Sequence, residues 1–246
     1  MNLFYHFGSY FVLMAKVFKR PEKASIYMRQ IIVEMDNLGL KSIGIVAIIS
    51  VFMGAVVTIQ TVFNIDNPFM PVYAVGYTTR QSIILEFSPT IISLVLAGKV
   101  GSRISSEIGT MRVTEQVDAL EIMGINSAGY LILPKVVASM IINPVLIIIS
   151  MLLGILGGWF AAVFGGILPE AHYIIGILLE FSFYDITYAL IKTIVFAFLI
   201  ATISGYFGYN TKGGALEVGQ SSTKAVVFSS IFIILFNLIL TQILLA

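Results

Sequence analysis

Four stretches of the chain carry no charged side chain over a length sufficient to cross a membrane. They cover residues 42–65, 136–169, 193–211 and 225–246, with 24, 34, 19 and 22 residues respectively. A helix needs ~20 apolar residues to cross the hydrocarbon core of a bilayer. Only 11% of the residues are charged, whereas a typical soluble domain has about 25%. The sequence therefore predicts an all-α membrane protein with at least four spans.

A fifth span requires one carboxylate inside the membrane. The longest uncharged run around Pro89 covers residues 87–98, and its 12 residues are too few to cross alone. A helix over 79–101 is long enough if it includes Glu86, with Pro89 as a kink. Five transmembrane helices are therefore expected, at residues 42–65, 79–101, 136–163, 186–209 and 225–245.

Lysine and arginine lie almost entirely on one side of these five helices. With the N-terminus in the cytoplasm, 12 of the 14 basic residues fall in cytoplasmic segments. Of the other two, Arg80 lies at the outer end of a helix and Lys192 lies within the fourth span. Because cytoplasmic loops retain Lys and Arg, we expect the N-terminus inside and the C-terminus outside.

The first 41 residues are predicted to form two helices at the cytoplasmic face, and residues 42–246 the transmembrane domain. A basic cluster over 16–23 follows apolar residues spaced three and four apart, which favours an amphipathic helix in the membrane interface. An irregular anchor is the alternative. Pro21 is expected to begin a second helix that ends near Leu38. The spaced apolar residues are Leu3, Phe7, Phe11, Met14 and Phe18.

The segment 102–135, between the second and third spans, has the pattern of a helical hairpin. Its apolar residues recur at steps of three and four and predict an amphipathic helix that is interrupted near Gly109. Gly124 is expected to end this helix. Pro134 is expected to open the third span.

The other face of this hairpin is charged. The spacing predicts ion pairs of Arg103 with Glu107 and of Arg112 with Glu115, each one helical turn apart. A row of carboxylates at steps of three consists of Glu115, Asp118 and Glu121. We interpret the hairpin as a docking surface for a cytoplasmic partner; a solvated interfacial helix is the alternative.

Two charges are placed inside the membrane. Glu86 is 13 residues from Lys99, and Lys192 is 17 residues from Tyr209, which correspond to ~20 Å and ~25 Å of helical rise. Both therefore fall in the outer half. Intramembrane charges usually face a protein interior or a wet cavity on the path of a transported species. Alternatively, Lys192 snorkels to the outer headgroups. The two charges either pair or line a cavity.

The sequence contains no recognisable catalytic or cofactor site. Absence of cysteine excludes thiol chemistry, and two histidines argue against a histidine-rich metal site. The segment Gly208–Gly213 is followed by Gly214, where a phosphate-binding loop needs lysine. A net charge of +1 argues against nucleic acid as a partner. We expect neither an enzyme nor a bound cofactor or metal.

The hairpin also carries a motif typical of one family. The segment Glu107–Gly124, EIGTMRVTEQVDALEIMG, followed by Leu133-Pro134, resembles the MlaE (YrbE) permeases of ABC-type lipid transport systems. Their loop is close to E-I-G-x-M-R-x-T-E-Q followed by six variable residues and Met. The motifs Leu85-Glu86-x-x-Pro89 and Ile191-Lys192-x-x-Val195 are similar to family segments too. The resemblance extends from about residue 25 to the C-terminus.

The resemblance implies a homodimeric permease in the inner membrane of Gram-negative bacteria that moves glycerophospholipid between the inner and outer membranes. It implies three protein partners: a cytoplasmic ABC ATPase, a periplasmic MCE-domain lipid-binding protein and a small cytoplasmic STAS-like subunit. Segment 102–135 becomes the coupling segment seated on the ATPase. The implied coupling residues are Glu107, Arg112, Glu115, Gln116, Asp118, Glu121, Met123 and Gly124.

The implied lipid cavity contains Glu86 and Lys192. Two positions depart from the family pattern. Asn237 stands where the last span has an acidic residue, and Leu85 stands where an arginine precedes the cavity glutamate. We expect headgroup contacts and the direction of transport to differ in detail for this reason.

Two other functions stay open on the sequence alone. Asp118-Ala119-x-x-x-x-Gly124 with Ile132-x-Pro134 also resembles the E-A-A-x-x-x-G loop of small-solute ABC importers. Such an importer would use a soluble substrate-binding protein. A membrane scaffold or partner-independent channel is the remaining alternative, in which the intramembrane charges are structural.

Overall fold

The computed structural model describes residues 3–19, 24–64 and 71–245, and the regular secondary structure of these ranges is entirely helical. The predicted all-α fold is therefore confirmed. Wider π-helical turns occur at Met35–Gly39, Ile83–Ile91 and Ala97–Gly101, and a 3₁₀ turn at Leu40–Ser42. The α-helices are α1 Leu3–Val17, α2 Ala24–Glu34, α3 Ile43–Asn64, α4 Ala74–Ser82, α5 Ile92–Leu96, α6 Ser102–Val113, α7 Gln116–Ile122, α8 Ser127–Phe164, α9 Glu170–Leu178, α10 Phe183–Tyr209 and α11 Ala215–Leu245.

Five helical stretches of the described chain are long and apolar enough to cross a membrane. They are Ser25–Asn64, Ala74–Val113, Ser127–Phe164, Phe183–Tyr209 and Ala215–Leu245. The five predicted spans are confirmed in number and order, and each lies within one of these stretches, apart from residue 65, which is outside the described residues. All five stretches begin before the predicted spans, and the second and third also end after them.

The chain does not break between the second N-terminal helix and the first span. Helical structure continues from Ala24 through the π turn and the 3₁₀ turn into α3, so the predicted end near Leu38 is wrong. Gly39 lies inside this helical stretch, and a Cβ atom there would overlap the side chain of Ile142. Pro21, the predicted start of the second N-terminal helix, lies outside the described residues.

The chain folds as two compact units, each built from three stretches of sequence. The first unit comprises Met1–Lys41, Leu94–Ile142 and Val195–Ile239, and the second comprises Ser42–Ser93, Asn143–Ile194 and Leu240–Ala246.

In the first unit, α1 lies against α10. His6 Nδ1 is 2.8 Å from the Tyr206 hydroxyl, and the Tyr10 hydroxyl donates to Thr202 Oγ1 at 2.9 Å. The predicted helix is confirmed, but its apolar face is divided. Met14 is buried, whereas Phe7, Phe11 and Phe18 are exposed, as expected of side chains that meet lipid.

The hairpin in the first unit breaks later than predicted. Helix α6 passes through Gly109 without interruption and ends at Val113. Thr114 Oγ1 then donates to the Thr110 carbonyl at 2.8 Å, a local bond that competes with helix continuation. Glu115 adopts a left-handed backbone with φ of 61°. Because Glu115 lies outside α7, the expected carboxylate row is incomplete.

The end of the hairpin is partly as predicted. Gly124 follows α7 with φ of +79°, the left-handed conformation that favours glycine at a helix end. Helix α8 then begins at Ser127, so Pro134 lies inside it instead of opening it. A proline inside a helix removes one hydrogen bond and costs about 3 kcal/mol, yet α8 continues through it.

In the second unit, α3 and α8 approach until their backbones touch. A Cβ atom on Gly54 would overlap the Gly154 carbonyl, and one on Gly157 would overlap the Val51 carbonyl. Arg80 on α4 is buried and donates to the carbonyls of Ile177 and Leu179 at 2.6 and 2.7 Å, which fixes the end of α9. The apolar core beneath consists of Val75, Ala162, Leu168 and Tyr173.

Candidate functional site

The two intramembrane charges meet in the second unit. Lys192 Nζ, on α10, lies 2.8 Å from Glu86 Oε1. The Lys192 side chain is fully buried, with 0% exposed, whereas the Glu86 side chain keeps 40% of its surface exposed. Because Lys192 is buried within the chain, the pairing interpretation replaces snorkelling.

Pro89 accounts for the π-helical backbone next to this pair. Proline has no N–H, so the Leu85 carbonyl four residues earlier loses its α-helical donor. The helix widens into the π turn Ile83–Ile91, and the Leu85 carbonyl accepts a hydrogen bond from Lys192 Nζ at 3.3 Å. Leu85 therefore contributes a main-chain oxygen to the site, although its apolar side chain was the predicted departure from the family.

Two hydroxyl groups form hydrogen bonds with both members of the pair. Lys192 Nζ donates to the Tyr188 hydroxyl at 2.8 Å and to Thr241 Oγ1 at 3.2 Å. The same hydroxyls lie 3.3 and 3.2 Å from Glu86 Oε1. Thr90 Oγ1 donates to Glu86 Oε2 at 3.3 Å. The ammonium group is thus surrounded by acceptors, while the carboxylate is bonded and still partly open. We call Glu86, Lys192, Tyr188 and Thr241 the Glu86–Lys192 cluster.

The cluster is costly to place among apolar helices. Each ion loses hydration, and the mutual attraction repays that loss only when hydrogen bonds are also made. Such pairs add little stability compared with apolar side chains of the same volume. The cluster therefore marks a candidate functional site.

The fourth predicted cavity residue precedes Thr241 by four residues on α11. Asn237 is on the part of α11 that belongs to the first unit, where it is partly buried. The structure brings Glu86, Lys192 and Leu85 together, and the role of Asn237 stays a prediction.

The hairpin of the first unit holds its charges in fixed positions. Arg112 Nη1 lies 2.5 Å from Asp118 Oδ1, so α6 and α7 are joined by this pair and not by the expected pair of Arg112 with Glu115. The left-handed turn at Glu115 accounts for the change, because it removes Glu115 from the helical spacing on which the expectation rested.

Glu121 anchors α7 to the neighbouring helices. Its Oε1 accepts hydrogen bonds from the Tyr209 hydroxyl and from Ser127 Oγ, both at 2.8 Å. These two bonds, that from Tyr209 first, hold the pKa of Glu121 below its usual value. Asp118 and Glu121 therefore face partners inside the chain, whereas Glu115 and Gln116 are exposed.

The tip of the hairpin is apolar and exposed. Ile122 and Met123 have 87% and 65% of their surface exposed, whereas Val117 of the same helix is fully buried. An exposed apolar patch rimmed by polar residues marks a contact with another protein or with a membrane. The hairpin tip, residues 115–123, is the second candidate site.

A further ion cluster lies beneath the hairpin. Lys135 Nζ is 2.5 Å from Glu34 Oε1 and 2.8 Å from Glu107 Oε1. The expected pair of Arg103 with Glu107 is therefore replaced, and Arg103 Nη1 donates to the Asn37 carbonyl at 3.3 Å. We call Lys135, Glu34 and Glu107 the Lys135 cluster; it joins α2, α6 and α8.

Comparison with known proteins identifies the family. The sequence model of the family described as Permease MlaE matches residues 31–243. The chain belongs to the MlaE permease family. It is 33% identical over 234 residues to a probable ABC transporter permease protein of Rickettsia typhi, covering 95% of this chain and 88% of the relative. This MlaE permease is accordingly a multi-pass ABC transporter permease, a transport subunit whose class works with an ATPase.

The similarity extends to photosynthetic organisms. A probable ABC transporter permease protein of Synechocystis sp. is 32% identical over 231 residues, covering 94% of this chain and 88% of the relative. The chloroplastic protein trigalactosyldiacylglycerol 1 of Arabidopsis thaliana is 32% identical over 238 residues, covering 94% of this chain and 66% of the relative.

Some site residues of this MlaE permease were predicted from the sequence, and others were not. The loop motif Glu107–Gly124 covers half of α6, the left-handed turn and α7. Tyr188, Thr241 and the Lys135 cluster were not predicted from the sequence. Tyr188 precedes Lys192 by four residues, which signals one helical face. Thr241 and Glu34 are far from their partners in sequence, and no spacing rule reaches them.

Proposed function

We propose that this permease moves glycerophospholipids between the inner and outer membranes of a Gram-negative bacterium. The Glu86–Lys192 cluster carries the proposal, because it offers a partly open carboxylate and a buried ammonium group within the spans. A phospholipid headgroup has a phosphate for the cation, and a zwitterionic one has an ammonium for the anion. The Arabidopsis relative is named after a glycerolipid, trigalactosyldiacylglycerol, which supports a lipid as the substrate class.

In this proposal the cluster alternates between two sets of partners. Without lipid, Lys192 is bonded to Glu86 and Tyr188 at 2.8 Å each. When lipid enters, its phosphate takes the place of the Glu86 carboxylate at Lys192, and Tyr188 keeps its bond to the ammonium group. The exchange keeps the fully buried Lys192 ammonium paired, which avoids the cost of an isolated ion.

The hairpin tip is proposed to dock on the ABC ATPase. The exposed Ile122 and Met123 supply an apolar contact, and Glu115 and Gln116 supply polar contacts beside it. The hydrogen bond of Arg112 with Asp118 connects α7 to α6, and that of Tyr209 with Glu121 connects α7 to α10. In this proposal a movement of the tip is therefore transmitted to both helices. Closure of the ATPase on binding ATP would then move α6 and α10 together and narrow the lipid cavity.

The remaining parts of the proposal concern location and assembly. The 12 basic residues grouped on one side support an N-terminus in the cytoplasm and a C-terminus outside. Residues 1–41 lie at the cytoplasmic interface in this arrangement. We propose that the permease is a homodimer that works with a periplasmic MCE-domain lipid-binding protein and a small cytoplasmic STAS-like subunit.

A lipid-transfer assay tests the proposed role of the Glu86–Lys192 cluster. The permease is reconstituted with its ATPase, and ATP-dependent movement of a fluorescent phospholipid to acceptor vesicles is measured. Lys192→Met should slow transfer roughly tenfold or more, the effect of losing one hydrogen bond to a charged group. Lys224→Met, at an exposed lysine of α11, is the matched control.

Two results would refute the proposed lipid transport. Equal transfer by Lys192→Met and the control would show that the charge is structural, as in a scaffold. Co-purification with a soluble solute-binding protein, together with ATP-driven uptake of its solute and no lipid transfer, would identify a small-solute importer.

Docking of the tip is tested separately. Ile122→Asp should abolish co-purification of the ATPase, because a charge would replace the most exposed apolar side chain of the tip. Leu216→Asp, at an exposed apolar residue outside the hairpin, is the control. Unchanged ATPase binding by Ile122→Asp would place the contact elsewhere while leaving the lipid site unaffected.

A further inference from the structure

A pocket of about 310 Å³ lies beside the Lys135 cluster in the first unit. It is lined by α2, α6 and α8, and its volume is at the lower end of the range for small-molecule sites. Lys135, one of the lining residues, has only 3% of its side chain exposed. The pocket therefore combines a buried charge with an accessible space, and none of the roles described above uses it.

The polar lining of this pocket is balanced in charge. Arg29 and Lys135 contribute two positive charges, and Glu34 and Glu107 contribute two negative charges. Within the described ranges, Gln30 Oε1 and Glu34 Oε2 are buried without a hydrogen-bond donor. Buried acceptors of this kind are stabilised by a donor, most strongly by a charged one. The pocket thus suits a group that carries both an ammonium and an anion.

The pocket lies at the edge of the membrane. Lys135 is the last charged residue before the uncharged window 136–169. Tyr130 lines the pocket and makes an edge contact with Tyr27, with ring centroids 6.3 Å apart; tyrosines are enriched at headgroup level. Apolar side chains of α2, Met28 and Ile32 among them, are exposed beside it. A lipid with its chains along α2 would bring its headgroup to the pocket.

We propose that this pocket binds the headgroup of a phospholipid bearing a primary ammonium, phosphatidylethanolamine, from the leaflet on the side of the N-terminus. The ammonium donates to Gln30 Oε1 and Glu34 Oε2, and the phosphate accepts from Arg29 and Lys135. A choline headgroup has no N–H and leaves both acceptors unpaired. The inference goes beyond the proposed function, because it requires a bound lipid whether or not that lipid is transported.

Lipid binding to the purified full-length permease tests this assignment. Native mass spectrometry compares phosphatidylethanolamine with phosphatidylcholine of identical acyl chains, without ATP or ATPase. The ethanolamine lipid should bind roughly tenfold more tightly, as expected for hydrogen bonds donated by a charged group. Gln30→Leu should remove most of this preference while leaving choline lipid binding unchanged.

The matched control is Gln81→Leu. Gln81 Oε1 is also a buried acceptor without a donor among the described residues, but it lies on α4, outside the pocket. Equal binding of the two lipids by the unaltered permease would overturn the proposal. So would equal loss in the two glutamine variants. Equal lipid binding together with cross-linking of Val33→Cys to the ATPase would show that a partner's side chain fills the pocket instead.

Discussion

Removing one charge from the Glu86–Lys192 pair should cost an amount that depends on which charge remains. Glu86→Met leaves the fully buried Lys192 ammonium with neutral acceptors but no counter-ion, and Lys192→Met leaves Glu86 with 40% of its side chain exposed. Breaking a buried pair on one side costs about 3–5 kcal/mol. That full penalty is expected for Glu86→Met.

The cost of Lys192→Met should be smaller. The remaining carboxylate reaches solvent or headgroups and still lies within bonding distance of Tyr188 and Thr241. An expected cost of about 1–3 kcal/mol corresponds to one lost hydrogen bond with a charged partner. The double variant should recover much of the loss, because an apolar replacement of both ions is often neutral.

Fluorescence of Trp159 provides the assay. It is the only tryptophan of the chain and lies in the second unit, as the pair does. Unfolding of the detergent-solubilised permease by denaturant should rank the variants from least to most stable as Glu86→Met, Lys192→Met, double variant. A larger loss for Lys192→Met than for Glu86→Met, or a double variant less stable than either, would refute the reasoning from burial.

Three further predictions follow from packing and hydrogen bonding. Gly54→Ala should destabilise the second unit by about 1–3 kcal/mol, because its Cβ would overlap the Gly154 carbonyl, whereas Gly44→Ala on the same helix has no neighbour within 4 Å and should be neutral; thermal unfolding distinguishes them. Arg80→Met should release the end of α9, so limited proteolysis should cut near Leu179 in the variant and not in the unaltered chain. The lowered pKa of Glu121 implies that its bonds stabilise α7 above the usual glutamate pKa and are lost as the pH falls through the lowered value. The protection of α7 against hydrogen exchange, relative to the intrinsic exchange rate at each pH, should therefore decrease in acid, and Tyr209→Phe should weaken that dependence; an identical pH profile of protection in the variant would contradict it.

The spans were predictable because charge is excluded from hydrocarbon over a fixed length. The same rule located Glu86, since the second span could reach sufficient length only by including it. Helix ends were less predictable. Pro134 and Gly109 are signals of a break, yet α8 and α6 continue through them, because tertiary packing outweighs the cost of a single unfavourable residue.

The pairing of charges was predictable only along one helix, and even there imperfectly. Arg112 pairs with Asp118 instead of Glu115 because a left-handed residue changed the register. Partners such as Glu34 and Lys135 are 101 residues apart, and their meeting depends on how the helices pack. Spacing rules describe one helix at a time and cannot supply that information.

The two ion clusters follow a common arrangement that suits a moving protein. Lys192 joins α10 to the π turn and to α11, and Lys135 joins α8 to α2 and α6. An intact buried pair adds little to stability, whereas a half-broken one is strongly destabilising. Helices linked in this way cannot separate gradually, because any intermediate leaves an ion unpaired. They either keep their arrangement or exchange one complete set of partners for another, and a phosphate or an ammonium from a lipid headgroup is a suitable replacement partner. Such all-or-none exchange is what a permease driven by an external ATPase requires, since two discrete states give ATP binding an equilibrium to shift.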